Sequence, residues 1–116
     1  MKQYQIIKVY NVLEDLAKLK DYHEDEQWAL YNLRKQLRVH SDFQREREEA
    51  IKNKYSPYAD KDGMLKGEKY IEFVAELEAL NNMDINTEYQ KIALPLVDGI
   101  NFLTIETLED FIEFKH

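Results

Sequence analysis

His23 and Glu26 stand three residues apart, the spacing that sets an imidazole and a carboxylate on one helical face. Such a pair can ligate a divalent metal, and Glu14 or Asp15 could approach from a neighbouring antiparallel helix. A carboxylate-bridged dimetal bundle needs that pair on two helices. This chain holds it once, and His40 and His116 have no comparable company. The acidic cluster around His23 therefore reads as helix-start chemistry and not as a metal site. The run Asp60-Lys61-Asp62-Gly63 has the outline of a calcium loop. With Gly63 at the sixth position, Tyr58 falls first and Lys69 twelfth, where oxygen ligands are required. A β-turn with Gly63 at positive φ is the reading that survives.

Covalent catalysis has even less to work with. There is no Cys, and the only serines, Ser41 and Ser56, lack a nucleophile-elbow context. Gly63, Gly67 and Gly99 are too scattered to cradle a phosphate. The many carboxylates fall on solvent faces, where burial cannot tune them for acid–base work. The expectation is a protein that is not an enzyme and uses no cofactor.

Binding chemistry is better represented. Arg34, Arg38, Arg45 and Lys52 recur at intervals of 4, 7 and 7, a basic stripe along one long helix, flanked by Lys35, Arg47 and Lys54. Guanidinium forks at such spacing suit carboxylate or phosphate. Asp42, Glu46, Glu48 and Glu49 are interspersed, however, and can pair the stripe with itself at i, i+4. Asp60, Asp62, Glu68, Glu72 and Glu76, with Glu78, form a candidate acidic face. Phe43, Tyr55 and Tyr58 are candidate interface aromatics among eight tyrosines, a residue favoured where a side chain is part buried and part wet.

These faces divide unevenly. Residues 1–54 carry a formal charge of +1 and residues 55–116 a charge of −8. The near-neutral part is helical pattern without Gly or Pro, whereas the acidic part holds all three Gly and both Pro. The whole is one domain of 116 residues, read as a helical hairpin (1–54) joined to an acidic α+β cap (55–116). Hydrophobic content of 44% with 34% charged residues is that of a soluble globular chain. No apolar run approaches a membrane span and the first residues are too polar for a secretory leader, so a cytoplasmic protein with no membrane partner is expected. A net charge of −7 disfavours direct nucleic-acid binding.

The elements that must carry these residues follow from periodicity. Ile6, Val9, Tyr10, Leu13, Leu16, Ala17 and Lys20 mark a helix over about 4–20. Asp21 with Glu24 forms a capping-box pair that starts a second, antiparallel helix near residue 21. Trp28, Leu30, Tyr31, Leu33 and Leu37, then Phe43, Ala50, Ile51 and Tyr55, give that helix its apolar side as far as about residue 54. The spacing predicts a continuous helix, with a break near 39–42 as the alternative because Ser41 and Gln44 could cap there. Its length, about 50 Å at ~1.5 Å per residue, exceeds what the first helix can cover. Apolar surface near Phe43, Ala50 and Ile51 is left for the cap or another subunit.

Pro57 ends the helix, and the Asp60–Gly63 turn closes a small hairpin between about 56–59 and 64–66. A third helix spans Glu68–Asn81, with Tyr70, Ile71, Phe73, Val74, Leu77 and Leu80 on one side. Period-two alternation follows: Ile85, Thr87 and Tyr89, then Ile92, Leu94 and Leu96 out of phase, with a bulge near 90–91. Asp98-Gly99 turns the chain into a returning strand over 100–103. Thr104 then caps a last helix buried through Ile105, Leu108, Phe111 and Ile112. The fold class is α+β: an antiparallel helical hairpin with a long second helix, packed on a small antiparallel sheet and two further helices.

The stretch DFQREREEAIKNKYSPYADKDGMLKGEKYIEFVAELEALNNMDIN and the ending LPLVDGINFLTIETLEDFIEFK resemble small proteins of tailed phages and prophages of low-GC bacteria. The shared pattern is a helical pair, an Asp- and Gly-rich turn, an acidic helix, a strand and a Leu-Thr-x-x-x-Leu-x-x-Phe-Ile end, here Leu103 to Ile112. The resemblance implies a phage accessory, in virion morphogenesis or acting early on the host, and a host-cell cytoplasmic location. Its motifs are structural and transfer no catalytic residue. The expected mode of action is protein–protein binding with self-association. The alternatives are inhibition of a host enzyme by the acidic half as a nucleic-acid mimic, and nucleic-acid binding through the basic stripe.

Overall fold

The apolar stripe of the first helix meets that of the second along most of its length, and this seam organises the molecule. A computed structural model describes residues 1–19, 21–86 and 88–115. Lys20, Thr87 and His116, each weighed above, lie outside the described residues. Helix α1 runs Gln3–Ala17 and α2 runs Glu24–Tyr55, unbroken through 39–42. No Gly or Pro interrupts its hydrogen-bond ladder, so neither Val39 nor Ser41 stops it. The start of α2 lies later than Asp21: His23 takes the cap position in extended conformation and donates its backbone N–H to the Glu26 carboxylate at 2.8 Å. The reciprocal half of a capping box thus belongs to His23 and Glu26.

Beyond α2, Ser56–Tyr58 form one 3₁₀ turn around Pro57. Helix α3 spans Glu68–Asn81 as predicted, entered through Gly67 at φ 65°, a left-handed entry that a side chain would strain. Strand β1 is Ile92–Pro95, helix α4 is Phe102–Leu108 and strand β2 is Ile112–Lys115. The long axis measures 53 Å against 28 and 22 Å across.

The α+β class and the two further helices are as expected, but the sheet is parallel and its second strand is elsewhere. Ile92 pairs with Ile112, Leu94 with Phe114 and Pro95 with Lys115. The end of the chain carries two periods at once. Leu108, Phe111 and Ile112 satisfy helical spacing, while Ile112-Glu113-Phe114-Lys115 alternates with period two. The helix stops at Leu108, whose carbonyl takes the Phe111 N–H at 2.9 Å, and the alternating register wins beyond it. Ile112 is buried and Phe114 half-buried, while Glu113 and Lys115 face out. Parallel strands need a crossover, and α4 supplies it. The segment 100–103, expected as the returning strand, instead enters α4: Asn101 caps it by accepting the Thr104 N–H at 2.8 Å, a role expected of Thr104.

Two other expected pairings are absent among the described residues. Segments 56–59 and 64–66 form no strands, and Asp60 closes the loop itself. The described residues 85–86 and 88–90 form no strand, although the neighbouring backbone pairs with the chain start. Gln3 N–H donates to Met83 O at 2.9 Å and Ile85 N–H to Met1 O at 2.8 Å, around an antiparallel bridge between Lys2 and Asp84.

Two apolar clusters fill the molecule. The proximal one joins Ile6, Val9, Leu13 and Leu16 of α1 to Leu30, Leu33 and Leu37 of α2, closed by Tyr22, Leu94, Leu108, Phe111 and Ile112. The distal one joins Ile51 and Tyr55 of α2 to Leu80 of α3, flanked by Phe43, Leu65, Phe73 and Leu77. Between them α2 buries Gln44, one heptad from both Leu37 and Ile51. Its amide donates to Glu48 and to Asn81, both at 2.8 Å. Trp28 and Tyr31, expected on the apolar side of α2, lie exposed, and so does Ala50.

Candidate functional site

The distal end is assembled by four local devices. Tyr55 closes α2 and packs edge-on against Phe73 of α3, ring centroids 5.6 Å apart. Asp60 accepts the N–H groups of Asp62 and Met64, each at 2.9 Å, with Lys66 at 3.4 Å. Gly63 at φ 78° lets the chain reverse, and its N–H donates to Asp60 O at 3.0 Å. Chiefly the Met64 amide holds the Asp60 carboxyl below its ordinary value, against the opposing effect of desolvation. This is a turn locked by its own carboxylate, as expected of the Asp60–Gly63 run. Finally, Lys54 donates to Glu76 at 2.8 Å, tying α2 to α3. The Lys54 ammonium first and the Tyr55 hydroxyl second keep Glu76 below the usual carboxylate range, and Glu76 in turn pushes Tyr55 up to about 12.

Within this frame Tyr55, Ala59, Met64, Leu65, Tyr70 and Phe73 line a groove of about 370 Å³, with Lys52 at its rim. Of the lining residues Met64 and Tyr70 are 59% and 54% exposed, and their sequence neighbourhood adds the exposed Tyr58 and Ile71. Tyr70 and Ile71 were read as part of the buried side of α3. α2 covers that side from Phe73 to Leu80, which leaves the first turn of α3 bare.

Of the candidate aromatics, Tyr58 is on the surface beneath the Lys69 ammonium (4.4 Å to the ring centre), Phe43 is half-buried and Tyr55 is core. The basic stripe is divided. Arg34 lies over the Tyr10 ring at 4.4 Å and 3.6 Å from Glu14, so it belongs to the α1–α2 seam. Arg45 pairs with Asp42 on its own helix. Arg38 and Lys52 are exposed and form no ion pair among the described residues. The acidic face is divided as well: Asp60 is committed to its turn, Glu76 to Lys54, and Glu72 to Lys69 at 3.3 Å, which leaves Asp62 and Glu68 exposed without ion-pair partners among the described residues. Neither stripe presents an unbroken field of one sign.

His23 contributes its backbone to the cap, and among the described residues no group of three His, Cys, Asp or Glu could hold a metal ion. His40 bonds through Nε2 to the Tyr89 hydroxyl at 3.0 Å, and its carbonyl accepts from the buried Gln3 amide at 2.9 Å. Burial pushes His40 below its ordinary value. Tyr22, pushed up to about 12 by burial and then by Glu26, donates to Pro95 O at 3.2 Å. Periodicity signals none of these three contacts, because each joins residues far apart in sequence. The exposed pair Trp28–Tyr31 was also missed. Its aromatic character reads as core, and only the position of α1 against Leu30, Leu33 and Leu37 leaves it outside.

Among the described residues no helix is long and apolar enough to cross a membrane. No family model, curated protein or solved structure matches the chain.

Proposed function

We propose that this protein is a non-enzymatic accessory that works by binding protein, and that it self-associates through the distal end of α2. The single observation that carries this reading is the apolar groove in which Met64 and Tyr70 stand exposed, with the exposed Tyr58 and Ile71 next in sequence to the lining residues Ala59 and Tyr70. Tyr and Met are enriched in protein interfaces, and a contiguous apolar patch on a soluble chain marks a place where water is to be expelled. The patch holds few free charges, because Lys54, Asp60, Lys66, Lys69, Glu72 and Glu76 are paired within the chain. Self-pairing lowers the desolvation cost of bringing a second surface against it. A second copy in an isologous arrangement sets groove against groove, so that one patch covers another. The resemblance of its sequence to small tailed-phage proteins supports a phage accessory, with virion morphogenesis as its role.

Sedimentation velocity across the micromolar range tests this directly. A dimer that disappears in Tyr70→Asp with Ile71→Glu, while circular dichroism stays unchanged, is the expected result. A wild-type monomer at high micromolar concentration removes self-association from the reading.

A further inference from the structure

Three times among the described residues a tyrosine ring and a carboxylate hold a cation between them. Arg34 sits over Tyr10 at 4.4 Å with Glu14 at 3.6 Å. Lys69 sits over Tyr58 at 4.4 Å with Glu72 at 3.3 Å. Lys54 sits 5.4 Å from the Tyr55 ring with Glu76 at 2.8 Å. The pairing has a simple cause: the negative face of the ring and the carboxylate attract the same positive group, and each limits its exposure to water.

A fourth set of the same kind stands on the outer face of α2. Trp28 and Tyr31 meet edge to face, centroids 5.6 Å apart with planes at 89°. Together with Glu24 and Gln27 they line an open cleft of about 320 Å³. Positions 24, 27, 28 and 31 share one helical face, on the side of α2 away from Leu30, Leu33 and Leu37. Trp28 is 57% exposed and Tyr31 48%. Among the described residues no cation lies over either ring, and Glu24 joins no ion pair.

We propose that Trp28, Tyr31 and Glu24 form a receptor for an arginine side chain carried by a partner protein. The two rings at right angles form a corner, so a planar guanidinium can stack on one and reach Glu24 with its fork. Trp is the strongest of the aromatic cation acceptors. The cleft of about 320 Å³ has room for one such side chain. The partial positive charge of the α2 start opposes a cation, but Glu24, Asp25 and Glu26 in the first turn reverse the sign of the local field. Gln27 is already engaged with Tyr22 O at 3.3 Å and stands as the floor of the cleft.

This site is independent of self-association: a monomer that binds arginine keeps it, and a dimer that ignores arginine loses it. Trp28 is the chain's only tryptophan, so its fluorescence reports the cleft directly. The experiment titrates the intact protein with acetyl-Gly-Arg-Gly-amide, and with the citrulline and lysine counterparts. Citrulline keeps the shape of arginine and removes the charge. The expected result is a saturable change with the arginine peptide in the range of about 1 mM, and binding at least about tenfold weaker for citrulline and for lysine. Glu24→Gln and Tyr31→Ala, both on an exposed helix face, should each weaken the arginine peptide by about fivefold or more with unchanged circular dichroism. No saturable change, an equal response to citrulline, or an unaltered titration in Glu24→Gln overturns the assignment. Equal binding of the lysine peptide overturns the guanidinium as the group recognised.

Discussion

The two ends of α2 solve the same burial problem with different means. At the proximal end α1 packs along α2, residues of α4, β1 and β2 close the same cluster, and Leu30, Leu33 and Leu37 are at most 3% exposed. At the distal end one helix, α3, does the covering with Leu65 of the loop before it, and Phe43, Leu65, Phe73 and Leu77 stay half-buried around Ile51, Tyr55 and Leu80. What a single covering helix cannot supply in apolar area is replaced there by fixed polar links: Gln44 to Asn81 and Lys54 to Glu76. A polar link positions an element but contributes less than burial, since the partners were already bonded to water. The proximal end is therefore where the fold is held, and the distal end is where apolar surface is left exposed.

The strongest way to break this contrast is to make cavities on both sides. Leu37→Ala, in the proximal core, is expected to cost about 3–4 kcal/mol, and Leu80→Ala about 2–3 kcal/mol because that site can collapse toward solvent. Urea denaturation midpoints measure both, and equal losses would mean the two ends are equally packed. Next in size, Arg47→Pro severs the α2 ladder between the clusters at a cost of about 3 kcal/mol. Arg47 is exposed, so the effect should be confined to the helix. Amide exchange should then show α3 losing protection while α1 keeps it. Simultaneous loss in both would show that the ends open as one unit.

Gln44→Ala sharpens the account of the seam. It deletes the amide that joins Glu48 and Asn81 and leaves Asn81 Oδ1 without that donor, a loss of about 1 kcal/mol. A midpoint equal to wild type would mean that Asn81 finds another partner without cost.

The smallest effect is the dependence on acid, and it also separates the ends. The folded state holds His40 below its ordinary 6.5, so its contribution is complete above that value and falls away as pH drops below it. Glu76 is held below its ordinary 4.5, so the Lys54 link persists to lower pH and is lost only beneath that point. Amide exchange should loosen the Gln3–His40–Tyr89 junction first and the α2–α3 junction second. Substituting His40 with Gln should abolish the first step and leave the second; persistence of both would assign the first step to another group.

Local spacing alone is enough to place α1, α2 and α3, because each repeats apolar residues at intervals of three and four. Ile6, Val9, Leu13 and Leu16 carry α1, and the absence of Gly and Pro across 24–55 carries the unbroken α2. Local sequence also determined the Asp60–Gly63 turn, whose hydrogen bonds are all local. Only the tertiary structure decided which way the chain ends. Leu108, Phe111 and Ile112 fit a helix as well as a strand, and the choice fell to pairing with Ile92–Pro95, a partner the local pattern cannot see. The same holds for the surfaces. The separation of Arg34 from Arg38, and of Glu76 from Glu68, depends on what α1 and α2 bring within reach. Trp28 and Tyr31 are written in core residues, yet they lie outside because α1 fills the opposite face of α2 and no other described element covers theirs. Burial is a property of neighbours, and neighbours distant in sequence are assigned only when the chain has folded.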